Sequence, residues 1–91
     1  MNESSRVTMI RERLSAALAP LELTITDESH QHVGHVGAKS GGGHFSVLIV
    51  SDAFVGKSLL ERHRLVYAAL GDAMAHDIHA LSIRALTATE R

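Results

Sequence analysis

HFSVLIVSDAFVGKSLLERHRLVY, residues 44–67, decides how this chain folds. It opens as an unbroken apolar strand, His44 to Val50. Phe45, Val47 and Ile49 share one face; Ser46, Leu48 and Val50 share the other. Both faces are largely apolar, the pattern of a central strand covered on two sides. The chain then turns through residues 51–56 and enters a helix that carries Arg62, His63 and Arg64. The spacing predicts this helix from Lys57 to about Ala75. Its apolar stripe is Leu59, Leu60, His63, Val66, Tyr67, Leu70 and Met74. Gly71 falls inside it at some cost in helix stability.

Upstream, Ser4 or Ser5 can cap a helix whose apolar positions are Val7, Ile10, Leu14, Ala17 and Leu18. Pro20 ends that helix, because the residue before a proline avoids right-handed helical angles. Leu21 to Thr26 alternates apolar and polar, so it reads as a half-exposed strand. Residues 30–43, HQHVGHVGAKSGGG, form a loop longer than a plain hairpin needs. Downstream, a short connection leads to a last strand, Ile78 to Leu86. Strict alternation puts Ile78, Ala80, Ser82, Arg84 and Leu86 on one side of it. His79, Leu81, Ile83 and Ala85 fall on the other, the more apolar in its middle.

The order is helix, strand, strand, helix, strand. A loop joins the first two strands, which should pair antiparallel. A helix joins the second and third, which should be parallel with a right-handed crossover. The expected architecture is α+β: one domain over residues 1–91, with a core from about 6 to 87. It has a three-stranded mixed sheet with both helices packed on one face.

Composition narrows the function. Ninety-one residues with 45% hydrophobic content make one ordinary globular domain. Cysteine is absent, which removes disulfides, thiolate nucleophiles and thiolate ligands. No run approaches ~18 uninterrupted apolar residues, and the N-terminal residues lack the order of a signal peptide. A cytoplasmic location away from the membrane is the expectation. A net charge of −1 speaks against wholesale charge-driven binding to nucleic acid. It leaves room for a local basic surface of Lys57, Arg62 and Arg64. Gly56-Lys57-Ser58 is no phosphate loop, since the required upstream glycine is replaced by Ser51. A Gly-x-x-Gly clamp is also missing at the helix start, where Leu59 stands three residues after Gly56. No Ser-His-acid or Cys-His set can be assembled, and no enzyme activity is expected. The unusual count is histidine, with seven residues, four of them from His30 to His44. Imidazole is a neutral metal ligand that titrates near neutrality, so the clustering has chemical content.

Asp27-Glu28-Ser29, His44-Phe45, Val50-Ser51 with Phe54 and Gly56, Arg62-His63-Arg64 with Tyr67, and Ile78-His79-Ala80-Leu81 follow one another in the order and spacing of the BolA family. The chain resembles that family from about Arg6 to Thr89. The resemblance implies a fold like a type II K-homology domain, in agreement with the order above. It implies pairing with a monothiol glutaredoxin, with or without a shared [2Fe-2S] cluster. Some bacterial members are also described as DNA-binding regulators of cell shape and stress response. The family's C-terminal histidine ligand matches His79. Its loop ligand matches His32, which makes this chain similar to the histidine subtype. His35 is the reserve ligand, and His30 is also within the loop.

A [2Fe-2S] cluster takes four ligands, and histidines can replace thiolates on one iron. This chain has imidazoles alone to offer, so it holds no such cluster by itself. The thiolates must come from outside, and by resemblance the donor is a glutaredoxin with its bound glutathione. Imidazole ligands raise the cluster's reduction potential and make it acid-labile. Both properties suit sensing or transfer. Of the other histidines, His63 is expected to pack and hydrogen-bond the sheet or the turn. His44 could pair across the sheet, and His76 should lie at the surface.

Overall fold

The computed structural model describes residues 4–28 and 43–91. Helix α1 spans Ser5–Leu18, and the Ser4 hydroxyl caps it by accepting from the Val7 N–H at 3.2 Å. Its buried stripe is Val7, Ile10, Leu14 and Leu18, whereas Ala17, expected in that stripe, is exposed. Ala19 ends the helix in the left-handed region at φ 43°, directly before Pro20. Strand β1 is Glu22–Asp27, β2 is Gly43–Val50 and β3 is Ile78–Leu86. Between β2 and β3 come one 3-10 turn, Asp52–Phe54, then helices α2, Leu59–Leu70, and α3, Ala73–His76.

The three strands lie in the order β1-β2-β3, antiparallel between β1 and β2 and parallel between β2 and β3. This is the expected α+β arrangement, with β2 at the centre. Phe45, Val47 and Ile49 bury one face of β2 against Ile10, Leu14, Val66 and Leu70 of the helices. No helix of the described residues is long and apolar enough to cross a membrane.

The helix expected from Lys57 to Ala75 is two helices. A capping box starts α2 at Ser58: its hydroxyl accepts the Glu61 N–H at 3.2 Å, and the Glu61 carboxylate accepts the Ser58 N–H at 2.7 Å. Gly71 stops it, with φ 56° and ψ −129°. That conformation suits glycine and no other residue well. The Arg13 guanidinium donates to the Leu70 carbonyl at 2.5 Å and pairs with Asp72 at 3.1 Å, which clamps α1 to the break.

The apolar stripe of α2 is also rotated from the expected one. Leu59, Leu60 and Tyr67 are exposed by 66%, 58% and 41%. Val66, Leu70 and Ala73 are buried, with Leu65 and Ala69 packed beside them. The buried face of α2 thus runs 65, 66, 69, 70, and Ala73 of α3 continues it past the break at Gly71. The large residues drew the expected stripe toward themselves. The core in fact receives Ala69 of α2 and Ala73 of α3 in that line.

Ser51 joins the two halves of the fold. It is fully buried, and its hydroxyl donates to the Leu18 carbonyl at 2.6 Å while accepting the Ala53 N–H at 3.0 Å. Its own N–H donates to the Leu86 carbonyl at 3.0 Å. Ser51→Ala strands a buried carbonyl at the end of α1. A loss of about 1–3 kcal/mol is expected in urea unfolding. A change below about 0.5 kcal/mol would mean that the carbonyl finds water instead.

Candidate functional site

The helices cover one face of the sheet, and no helix or strand among the described residues covers the other. On the open face, Thr24, Thr26, Ser46, Leu48, Ser82 and Arg84 line a shallow depression of about 270 Å³. It offers hydroxyls and one guanidinium, and no facing acid and base for catalysis.

The same face carries a histidine pair that strict alternation does not foresee. Pairing of β2 with β3 shifts between Gly43↔Ile78 and His44↔Ala80. One extra residue, His79, is therefore inserted into β3 as a bulge. The burial pattern records it: Ile78 is buried, His79 and Ala80 are exposed, and Leu81 packs against the core. The sequence reading placed His79 on the side of Leu81, Ile83 and Ala85. The bulge turns it outward instead. Its ring lies against that of His44, with centroids 5.0 Å apart and planes at 32°. His44 pairs across the sheet as expected, and its ring is half-buried on the face opposite Phe45. A signal was present: Ile78 and Leu81 are both apolar, three residues apart in a strand, a spacing that fits no two-residue alternation.

His30, His32 and His35 lie outside the described residues. Among the described residues, no group of three or more His, Asp or Glu side chains could hold a metal ion. His76 is exposed, as expected. His63 packs as expected in that its Nε2 is buried, but among the described residues that atom has no hydrogen-bond partner.

The three basic candidates separate. Lys57 and Arg64 are exposed. Arg62 is held as a strut, with its side chain 13% exposed. Its guanidinium grips both oxygens of Glu90 at 2.5 and 3.0 Å and donates to the Ala85 carbonyl at 3.1 Å and the Lys57 carbonyl at 3.0 Å. Glu90 also accepts the Thr87 N–H at 2.8 Å. Arg62 thus fastens the C-terminal turn to α2 and does not present itself to a phosphate.

The Arg62 bonds, followed by the Thr87 N–H, pull the Glu90 carboxyl from its ordinary 4.5 down to about 2. A carboxyl lowered in the folded state stabilises the fold fully above its unfolded value, and the contribution is lost as pH falls from there toward 2. Glu90→Gln should therefore lower the unfolding midpoint at pH 7 and flatten the acid limb between about pH 4.5 and 2. Chemical denaturation at several pH values measures both. Parallel acid limbs in the two proteins would show that the strut does not couple to folding.

Residues 14–90 match the family model described as BolA-like protein. The chain belongs to the BolA-like family. It is 48% identical over 91 residues to "SufE-like protein 1, chloroplastic/mitochondrial" of Arabidopsis thaliana, across 94% of this chain and 24% of that protein. It is 40% identical over 81 residues to "DNA-binding transcriptional regulator BolA" of Escherichia coli (strain K12), across 89% of this chain and 74% of that one. Among solved structures, the BolA domain of SufE1 from Arabidopsis thaliana superposes with a TM-score of 0.85 at 49% identity. That match covers 99% of this chain and 100% of the domain. This BolA-like chain therefore spans about a quarter of the SufE-like relative.

Proposed function

We propose that this BolA-like protein is a partner of a monothiol glutaredoxin and shares a bridging [2Fe-2S] cluster with it, in iron–sulfur handling or iron and redox signalling. The observation that supports this most is His79. A β-bulge turns its imidazole out of the core onto the uncovered sheet face, where a second protein can reach it. The chain has no cysteine, so any thiolates must arrive with the partner and its glutathione. His79 and His32 are the ligands in this reading, with His35 in reserve. When bound, the cluster supplies one-electron redox chemistry. The protein's part is to present imidazoles and to lower the cluster's negative charge relative to four thiolates.

The test is co-purification with a monothiol glutaredoxin, anaerobic reconstitution, and visible absorption and circular dichroism of wild type and of His32→Ala. A coloured complex whose spectrum changes in the variant is expected. An unchanged spectrum removes His32, and failure to form any complex removes the partner.

A second reading is a DNA-binding regulator. It is favoured by the name of the Escherichia coli relative, a DNA-binding transcriptional regulator, and by exposed Lys57 and Arg64. Phosphate contacts at these two residues must weaken steeply with salt. Titration of duplex DNA at two salt concentrations, with Arg64→Ala alongside, decides it. No binding at low salt ends this reading.

A further inference from the structure

We infer that the sheet face opposite the helices binds a small phosphate monoester. Arg84, Ser82 and Ser46 hold its phosphoryl group, and Leu48 carries its organic part. Strand register builds the site. Thr26, Ser46 and Ser82 are paired in one line across β1, β2 and β3. Thr24, Leu48 and Arg84 form the next line, two residues away along each strand. Residues two apart on a strand share a face, so both lines lie on the side away from the core. Neighbouring strands run about 4.8 Å apart. Two adjacent hydroxyls can therefore donate to one oxygen at the usual distance of about 2.7 Å. Ser46 and Ser82 are such a pair. Arg84 stands about 6.6 Å from Ser82 along β3, a gap that its long side chain spans.

The electrostatics point to an anion. Among the described residues, Arg84 has no hydrogen bond or ion pair, and neither has the side chain of Thr24, Thr26, Ser46 or Ser82. An acid opposite an exposed strand arginine would pair with it, but the neighbours of Arg84 in its line are Leu48 and Thr24. Glu22, two residues from Thr24 on the same face, is engaged by Arg91. An uncompensated guanidinium therefore stands beside unused hydroxyl donors. Its planar fork takes two oxygens of a carboxylate or a phosphoryl group at once. A carboxylate has no more than those two; a phosphoryl group keeps a third for the hydroxyls.

The size fits a small ligand. The depression holds about 270 Å³, less than a drug-sized pocket. Leu48 is half-buried at its centre and offers apolar contact. A nucleic-acid backbone calls for several cations in a run, and among the described residues Arg84 is the one cation in this lining. None of the residues named in the two functional readings lines the depression. The site needs neither iron nor glutaredoxin, so its failure leaves both readings to their own tests.

The probe is phenyl phosphate added to the isolated protein and followed by backbone amide shifts in NMR. Inorganic phosphate and benzoate are the comparison ligands. Phenyl phosphate should move the amides of Ser46, Leu48, Ser82 and Arg84 first and saturate below about 10 mM. Inorganic phosphate should move the same amides with lower affinity, and benzoate should bind several-fold more weakly than phenyl phosphate. Arg84→Gln should weaken phenyl phosphate at least about tenfold, and Ser82→Ala about fivefold. Leu48→Ala should weaken phenyl phosphate and leave inorganic phosphate unchanged. Melting curves check that each variant is folded. The absence of saturable shifts on this face up to about 10 mM overturns the site. So do shifts centred on Lys57 and Arg64, and so does wild-type affinity in Arg84→Gln. Tighter binding of benzoate than of phenyl phosphate overturns the phosphoryl assignment.

Discussion

Phe54→Ala is expected to remove about 3–5 kcal/mol of folding free energy, the range for a buried phenylalanine cut to a methyl. Phe54 has no exposed surface, although it sits in a 3-10 turn and not in a helix or strand. It belongs to the same core as Phe45, Ile10 and Leu14. A chain of 91 residues has only roughly 5–14 kcal/mol in total at the usual stability per residue. The variant should therefore lose a large share of that total, with its urea midpoint moved well toward zero. The instructive control is Leu59→Ala. Leu59 is as apolar as any core residue but 66% exposed, and a surface change of this kind should stay within about 0.5 kcal/mol. A large loss at Leu59 with a small one at Phe54 would return the helix stripe to the face that the sequence suggests.

That contrast marks how far the sequence could be read. Strand β2 was legible because its run of apolar residues is continuous and bounded by a polar turn. The strand order followed from the lengths of the connections. The face of α2 was harder. Periodicity favours the bulkiest apolar side chains, so Leu59, Leu60 and Tyr67 outweighed Ala69 and Ala73. The structure seats the alanines in the core and leaves the larger side chains exposed. Gly71 looked like a tolerated weakness inside a helix. It is the stop, since its positive φ is incompatible with continuing the turn.

The site was legible in part for a related reason. Side-chain alternation assumes regular pairing, and a bulge breaks that assumption at one residue. The break falls on His79, so the histidine singled out by family resemblance was assigned to the wrong side of its strand. His44 was read as a cross-sheet pairing residue, but nothing in the letters alone indicated which ring it would meet. Arg62 was grouped with Arg64 by adjacency. Residues two apart on a helix point about 200° apart, and here one meets Glu90 while the other meets solvent.

The second large effect is expected at His79 in the complex with a monothiol glutaredoxin. His79→Ala removes an imidazole without altering the core, because the ring is exposed and turned away from it. Folding stability should change little, within about 0.5 kcal/mol for a surface position. The cluster's visible circular dichroism should be lost or replaced by that of a glutaredoxin-only species. His79→Cys separates a ligand role from a contact role. A thiolate in place of an imidazole retains a donor and adds negative charge. Cluster binding should then persist while the reduction potential falls, by an amount on the order of 100 mV or more, given the gap between histidine-ligated and all-thiolate centres. The cysteine variant should also hold its signature when the wild-type complex begins to lose it on mild acidification, if protonation of imidazole is what releases the iron. A redox titration followed by circular dichroism reads both. Equal potentials for wild type and His79→Cys, with an unaltered spectrum in His79→Ala, would place the iron on other ligands altogether.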